Sequence, residues 1–234
     1  MQNISQIVIL NGGFGKRVKS LTKGAPKCLI KFASNSFLFL QLQLIKKKGI
    51  KNVVICCGYK SNSIIQELKK NNIKKLGLKI SVSIERRKLG TGGAIINANK
   101  YLHNNFFIIY GDSWLDINYR KIGKKFISSN KKNIMTVIKN SLIKNHKPNI
   151  FLKNNKIIYY KKNSNNKNFK YIDYGLIALR KDVLQYFTNK KKFDLNLIIK
   201  YLIKHQDIEA YKVKKKFYHI GSLDGIKEIK KIFN

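Results

Sequence analysis

Apolar residues along this chain fall into two recurring patterns, short unbroken runs and longer helical spacings, and the two take turns. Between Ser5 and Asn11 stand four consecutive apolar residues, Ile7, Val8, Ile9 and Leu10, a run of strand length with no polar face. It predicts a strand buried on both sides. The run ends in Gly12-Gly13-Phe14-Gly15. Apolar residues then fill a helical length from Phe37 to Lys48, stopped by Gly49, and Asn52 to Cys57 repeats the strand with Val53, Val54 and Ile55. A helix near Ser63 to Lys70, an alternating strand at Ile80, Val82 and Ile84, a helix near Ala94 to Leu102 and a strand from Phe106 to Tyr110 continue the rhythm. Such alternation predicts an α/β fold, a Rossmann-like, mostly parallel sheet flanked by helices, with ligands beyond the carboxyl ends of the strands.

After Met135 to Ile138 the pattern loosens. Asn149 to Leu152 and Lys156 to Tyr160 flank Lys153-Asn154-Asn155 as a hairpin, and Asn163 to Asn168 is a polar loop. Tyr171 to Leu179 reads as a strand, with helices near Asp182 to Phe187, Leu195 to Lys204 and Leu223 to Phe233. The second half is therefore expected to be mixed α/β. No Pro/Ser-rich linker and no internal repeat divides the 234 residues, so a single domain over 1-234 is expected.

Composition adds one loud number. Lys and Arg total 49 against 11 Asp and Glu, a formal net charge of +38. Such a balance ordinarily points to nucleic acid or an anionic membrane. Yet only Arg17, Arg86, Arg87, Arg120 and Arg180 are arginines, and the lysines are scattered through a chain crowded with Ile and Asn, as codon drift toward A/T would produce. Surfaces that read phosphate backbones cluster Arg and interleave aromatics. A nucleic-acid partner is not expected; small anionic ligands are favoured. Cys28, Cys56 and Cys57 form no CxxC pair and read as reduced core thiols. With no basic leader and no apolar run of membrane-spanning length, the expected setting is cytoplasmic, with no membrane partner. The oligomeric state is open, a homo-oligomer included.

Candidate chemistry begins at Leu10-Asn11-Gly12-Gly13-Phe14-Gly15-Lys16-Arg17. Glycines let backbone N–H groups approach phosphate oxygens, and Arg17 offers a fork of donors, so the segment reads as a phosphate cradle. It is neither GxxxxGK[ST] nor a complete dinucleotide fingerprint, and a plain strand-to-loop turn is the alternative. Ala25-Pro26-Lys27 follows at a spacing that lets Lys27 reach the same phosphates. Leu89-Gly90-Thr91-Gly92-Gly93-Ala94 is a second glycine-rich segment, whose plainer reading is a helix N-terminus. Tyr110-Gly111-Asp112-Ser113 ends a strand with a carboxylate, a hard oxygen ligand suited to Mg²⁺ or else the cap of a turn.

Gly12-Gly13-Phe14-Gly15-Lys16-Arg17 followed by Pro26-Lys27 closely resembles the GGxGxRx…PK signature of the sugar-phosphate nucleotidylyltransferases, and Leu89 to Ala94 resembles that family's LGTGGA segment. The resemblance runs from Ile7 to Gly225. It implies that Leu10, Asn11, Gly12, Gly13, Gly15 and Lys16, with Arg17 and Lys27, hold the phosphates of an NTP. Gly90, Thr91 and Gly92 would read base and ribose, and Asp112 would bind Mg²⁺, with Mn²⁺ as a substitute. Tyr171-Ile172-Asp173-Tyr174-Gly175 resembles the family's acidic-x-Gly strand against the sugar ring, and Lys161 or Lys162, Lys161 preferred, falls where the family keeps a lysine for the sugar phosphate. Phe217 to Gly225 resembles the closing DIGT/EIGS motif, but His219 stands where a carboxylate is usual. Imidazole suits softer ions than Mg²⁺, so the second metal contact is left open: the alternatives for His219 are binding a phosphate, holding a metal through water, accepting Mn²⁺ or being a plain turn residue, with Asp224 as a carboxylate lent from the next helix. His103, His146 and His205 have no clustered partners in the sequence and are expected to be surface or packing residues.

The implied reaction is transfer of a nucleoside monophosphate from an NTP to a sugar 1-phosphate, releasing pyrophosphate. Residues 1-140 would bind the nucleotide and 141-234 the acceptor. An acceptor phosphomonoester has a second pKa of about 6 and needs no general base. Members of similar style act on heptose or mannose 1-phosphate with GTP, while others use CTP, UTP or dTTP, and the base is not legible. The alternatives are a cytidylyltransferase acting on a non-sugar phosphate or phosphonate, and a catalytically weak nucleotide- or nucleic-acid-binding relative. The chain leaves no room for the left-handed β-helix of some relatives, so acyl transfer is not expected.

Overall fold

The structure, a computed structural model, describes residues 4–13, 22, 24–129, 132–143, 146–161 and 167–233. The apolar run after Ser5 forms β1 (Gln6–Asn11), and two short strands, β2 (Lys31–Phe32) and β3 (Asn35–Ser36), pair as a ribbon before α1 (Phe37–Lys47). Ser36 starts α1 by accepting from the Phe39 N–H at 3.2 Å, and Gly49, at φ +84°, carries the chain away from its end. There follow β4 (Asn52–Cys57), α2 (Ser61–Leu68), α3 (Asn71–Lys74), β5 (Lys79–Ile84), α4 (Gly90–Asn97), β6 (Asn105–Tyr110), β7 (Ser113–Trp114), α5 (Tyr119–Ser128) and β8 (Asn133–Lys139). The rest comprises β9 (Ile150–Lys153), β10 (Lys156–Tyr160), β11 (Tyr171–Arg180), α6 (Leu195–Lys204), β12 (Ile208–Val213), β13 (Tyr218–His219) and α7 (Leu223–Phe233).

One nine-stranded sheet runs β5-β4-β1-β6-β11-β8-β12-β10-β9, and β9 also touches β11. Its first four strands are mutually parallel, while β11 enters antiparallel between β6 and β8. The architecture is α/β, parallel at one end and mixed at the other. Side chains alternate across it as strand geometry requires. Ile7, Ile9, Val53, Ile55, Phe107 and Ile109 face α1, α5 and α7, whereas Val8, Leu10, Val54, Cys56, Phe106 and Ile108 face α4 and α6. The switch in chain order between β1 and β6 opens a crevice at their carboxyl ends.

Several elements depart from their expected forms. Gly90-Thr91-Gly92-Gly93 is the first turn of α4, so that helix begins four residues before Ala94 and ends at Asn97. Lys181–Phe187 is a 3₁₀ helix. Nothing in the sequence reading anticipated α5 or β12. Helix α5 buries Tyr119, Ile122 and Phe126 at helical spacing behind a lysine-rich outer face, and Asn118 caps it by accepting from the Lys121 N–H at 3.0 Å. Strand β12 is only half buried, without clear alternation, and is placed by its parallel pairing with β8. The Asn154-Asn155 turn of the expected hairpin has both residues at positive φ, +48° and +62°, as a two-residue turn between right-twisted strands requires.

Candidate active site

A cavity of about 230 Å³ lies in the β1/β6 crevice. Leu10, Asn11, Gly12 and Gly13 form its floor where β1 ends; Pro26 and Lys27 form one wall, Glu85, Gly90 and Thr91 another. Gly111 and Asp112, just past β6, close the third side. Gly111 has to be glycine, because a Cβ there would lie 1.7 Å from Asn11 Oδ1. The turn that carries Asp112 is held from beneath by Gln41, a buried polar residue on the otherwise apolar face of α1. Its Nε2 donates to Tyr110 O at 3.1 Å and Ser113 O at 2.8 Å. Gln41 and Glu85 are site residues that sequence reasoning missed. The signal for Gln41 was an isolated amide in a helix of Phe and Leu; for Glu85 it was a carboxylate directly following an edge strand.

Asp112 and Lys27 meet. Lys27 Nζ donates to Asp112 Oδ2 at 3.2 Å, and Ser113 Oγ lies 3.5 Å from Oδ1. The Asp112 carbonyl accepts from the Ile220 N–H at 2.8 Å, and β7 and β13 pair Ser113 with His219, so the closing motif is laced to the Asp112 turn. His219 Nδ1 accepts from the Gly221 N–H at 3.1 Å. A Cβ on Gly221 would lie 3.4 Å from Asp112 Oδ2 and 3.2 Å from His219 Nδ1, so the two side chains flank one glycine. Gly225 is far more tightly constrained, since its Cβ would strike the His219 carbonyl oxygen at 2.0 Å. His146 is no isolated residue, contrary to the expectation from its sequence position. Its ring stands edge-on to His219 at 5.6 Å and to Phe217 at 5.1 Å.

The second glycine-rich segment forms the helix N-terminus that was its plainer reading, and part of its backbone is engaged within the chain. Phe193 O accepts from the N–H groups of Gly92 and Gly93 at 3.0 and 3.1 Å, and Asp194 Oδ1 accepts from Thr91 N–H at 3.4 Å. Thr91 Oγ1 in turn accepts from the Leu195 N–H at 2.8 Å, so α4 and α6 cap one another. Gly90 and Thr91 still line the cavity, whereas Gly92 is packed beneath the Phe193 ring.

Glu85 closes directly on Gly12 in the cavity lining. Its Oε1 would be 2.7 Å from a Cβ on Gly12, and its Oε2 accepts from Leu89 N–H at 3.0 Å. Burial raises its carboxyl above the ordinary glutamate range, opposed by that N–H. Asp173 lies across Tyr110 from the cavity. Its Oδ1 accepts from Gly175 N–H at 2.9 Å and its Oδ2 from the Tyr160 hydroxyl at 3.1 Å. Gly175, at φ +96°, sits at a break in the β11–β8 register and packs against the Tyr110 ring. Burial, and then Asp173, Asp112 and Asp194 in that order, push the Tyr110 hydroxyl up, so it stays protonated among the three carboxylates. Lys161 anchors its backbone N–H on Asn149 O at 2.9 Å, but its side chain is exposed and outside the cavity wall. Gly15, Lys16, Arg17 and Lys162 lie outside the described residues.

These features agree with what the chain is similar to. Residues 6–231 match the family model described as nucleotidyl transferase, and the chain belongs to that family. The D-glycero-alpha-D-manno-heptose 1-phosphate guanylyltransferase of Campylobacter jejuni is 39% identical over 117 residues, 50% of this chain and 52% of that protein. A mannose-1-phosphate guanylyltransferase catalytic subunit beta of Xenopus tropicalis is 33% identical over 118 residues, 49% of this chain and 32% of that protein. The matched stretch thus spans about half or less of these relatives. The crystal structure of HddC from Yersinia pseudotuberculosis complexed with GMP-PN superposes with a TM-score of 0.81 at 25% identity, covering 99% of this chain and 100% of that one. Among the described residues no helix is long and apolar enough to cross a membrane, and the three cysteines are buried and unpaired.

Proposed function

We propose that this protein transfers a guanosine monophosphate unit from GTP to a sugar 1-phosphate of the heptose or mannose class, releasing pyrophosphate. The observation that carries the reading is the Lys27–Asp112 pair facing the open Gly12-Gly13 floor at the carboxyl ends of β1 and β6. Cation, carboxylate and bare backbone converge there in the way a polyphosphate requires. The family membership and the two guanylyltransferase relatives support the same reaction.

An oxygen of the acceptor's phosphate attacks the α-phosphorus in line. A new P–O bond forms as the bond to the β-phosphate oxygen breaks, and pyrophosphate leaves with that oxygen. Since the acceptor phosphate is largely ionised near neutrality, the chain supplies position and charge compensation instead of a base. Lys27 balances the phosphate charge, and Gly12 and Gly13 let backbone N–H groups approach it; Arg17 and Gly15 are assigned to the same phosphates on the family likeness alone. A divalent cation, Mg²⁺ with Mn²⁺ as alternative, would neutralise charge on the departing pyrophosphate, with Asp112 as its protein carboxylate. The assignment of Asp173 and Gly175 to the acceptor's sugar ring rests on the likeness to the family's acidic-x-Gly strand, since both lie outside the cavity lining. The assignment of Lys161 to the acceptor's phosphate likewise rests on the family likeness, since its side chain is exposed and outside the cavity lining.

Glu85 supports the choice of GTP. A carboxylate is acceptor-only when ionised, and guanine alone among the common bases presents two adjacent donors, N1–H and N2–H, on its pairing edge. The buried unpaired thiols fit a cytoplasmic setting. The test is pyrophosphate release from ATP, GTP, CTP, UTP and dTTP against a panel of hexose and heptose 1-phosphates. GTP with a manno-configured acceptor is expected to be the productive pairing. Turnover with CTP alone, indifferent to every sugar phosphate, would sink this reading.

A further inference from the structure

Of the three groups that the sequence offered to a metal, Asp112 and His219 are already committed within the chain, and Asp224 stands exposed in the first turn of α7, outside the cavity lining. Asp112 Oδ2 accepts from Lys27 Nζ at 3.2 Å, with side-chain exposures of only 33% and 17%. His219 Nδ1 accepts from the Gly221 N–H at 3.1 Å. A ring nitrogen that accepts has its lone pair in use, and the neutral ring then carries its proton on Nε2, a tautomer assigned from this hydrogen bond. Neither nitrogen then presents a lone pair to a metal. Among the described residues no set of three His, Cys, Asp or Glu side chains could hold an ion. Gly221 and Gly225 leave room for this arrangement, since a Cβ at either would press on His219. The site thus fits a cation through Asp112 alone, and only once Lys27 has moved.

Resting on the nucleotidyl-transfer reading, we propose that Lys27 is an internal counter-ion that closes Asp112 to divalent cations until nucleotide phosphates draw its ammonium away, and that His219 is not a metal ligand. A monovalent ammonium and a dication contend for the same carboxylate oxygen and repel one another at that distance. The triphosphate removes the conflict by giving Lys27 another anion within reach of its flexible stem, and its oxygens complete the cation's shell. Nucleotide and cation therefore strengthen one another's binding, and the cation alone binds weakly.

The experiment is a titration of the nucleotide-free full chain with Mn²⁺ alone, followed by the electron paramagnetic resonance of the free ion. Lys27→Met should bind Mn²⁺ about tenfold more tightly than the natural chain, whereas Lys27→Arg, which keeps the charge, should not. His219→Ala should leave the affinity unchanged, and spin-echo spectra of bound Mn²⁺ should show no directly coordinated nitrogen. Equal or weaker binding by Lys27→Met overturns the counter-ion role. Weakened binding by His219→Ala, or an imidazole nitrogen on the ion, overturns the assignment of His219. Thermal unfolding confirms that each variant is folded, with Lys27→Gln replacing Lys27→Met if the latter is not. The readout needs no turnover. A failure of the transferase reading would show separately, as absence of pyrophosphate release from every NTP.

Discussion

The two glycine-rich segments of this protein look alike in sequence and do opposite things in the fold. At Gly13 a Cβ would meet nothing within 4 Å, so this backbone faces open space in the cavity, while at Gly12 it would meet only the movable tip of the Glu85 side chain, at 2.7 Å. At Gly90, Gly92 and Gly93 the space is filled by the chain itself. A Cβ would lie 2.5 Å from the Phe193 carbonyl oxygen, 2.3 Å from the Phe193 ring and 2.9 Å from Leu89 Cβ, respectively. One segment is bare toward an open cavity; the other is bare where the stretch leading into α6 packs on it. Glycine serves either end, because removing the side chain exposes backbone N–H groups to whatever approaches, and spacing along the chain does not say what that is.

This contrast can be broken by substitution. The largest effect belongs beside the open segment: Asp112→Asn should lower turnover by about 10² to 10³ while leaving the melting temperature nearly unchanged, as steady-state kinetics and calorimetry would show. Retained turnover would remove Asp112 from the chemistry. Gly92→Ala should do the reverse, costing about 1–3 kcal/mol of stability through the clash with Phe193, measured by denaturant unfolding. Were its stability unaltered and its nucleotide affinity lost, the second segment would belong to the ligand after all. Glu85→Gln should weaken GTP relative to the other NTPs by about 1–3 kcal/mol in kcat/KM, because Gln offers one acceptor where guanine presents two donors. Gly13→Ala should raise the KM for nucleotide with stability kept within about 0.5 kcal/mol.

The smallest effect concerns pH. Burial raises the Glu85 carboxyl in the folded chain, so folding favours its protonated form. That contribution is fully present below the unfolded glutamate pKa and is lost as pH rises through the folded value. Glu85→Gln should therefore be slightly more stable than the natural chain at pH 7, an advantage that fades on acidification toward pH 4. Thermal melts at both values would show it, and a constant difference across the range would refute the assignment.

How legible each part was follows from what packs against it. The strands β1, β4 and β6 announced themselves because both of their faces are buried and must be apolar. Helix α5 was hidden by lysines at its exposed positions, and β12 is half buried, its place decided by hydrogen bonds to β8 rather than by its own pattern. At the site, the Asp112 strand end was evident, whereas Gln41 and Glu85 act from other elements and carry no local motif.

By itself the sequence determined the layered α/β class, the strand-end position of Asp112 and the two glycine segments, since these depend on local periodicity and chain order. Only the tertiary structure decided which glycines face the open cavity, that Lys27 occupies the Asp112 carboxylate, and that His219 spends Nδ1 on Gly221. Those outcomes turn on which atoms from distant stretches of chain arrive within about 3 Å of one another, the reach of a hydrogen bond. No pattern confined to one segment carries that information.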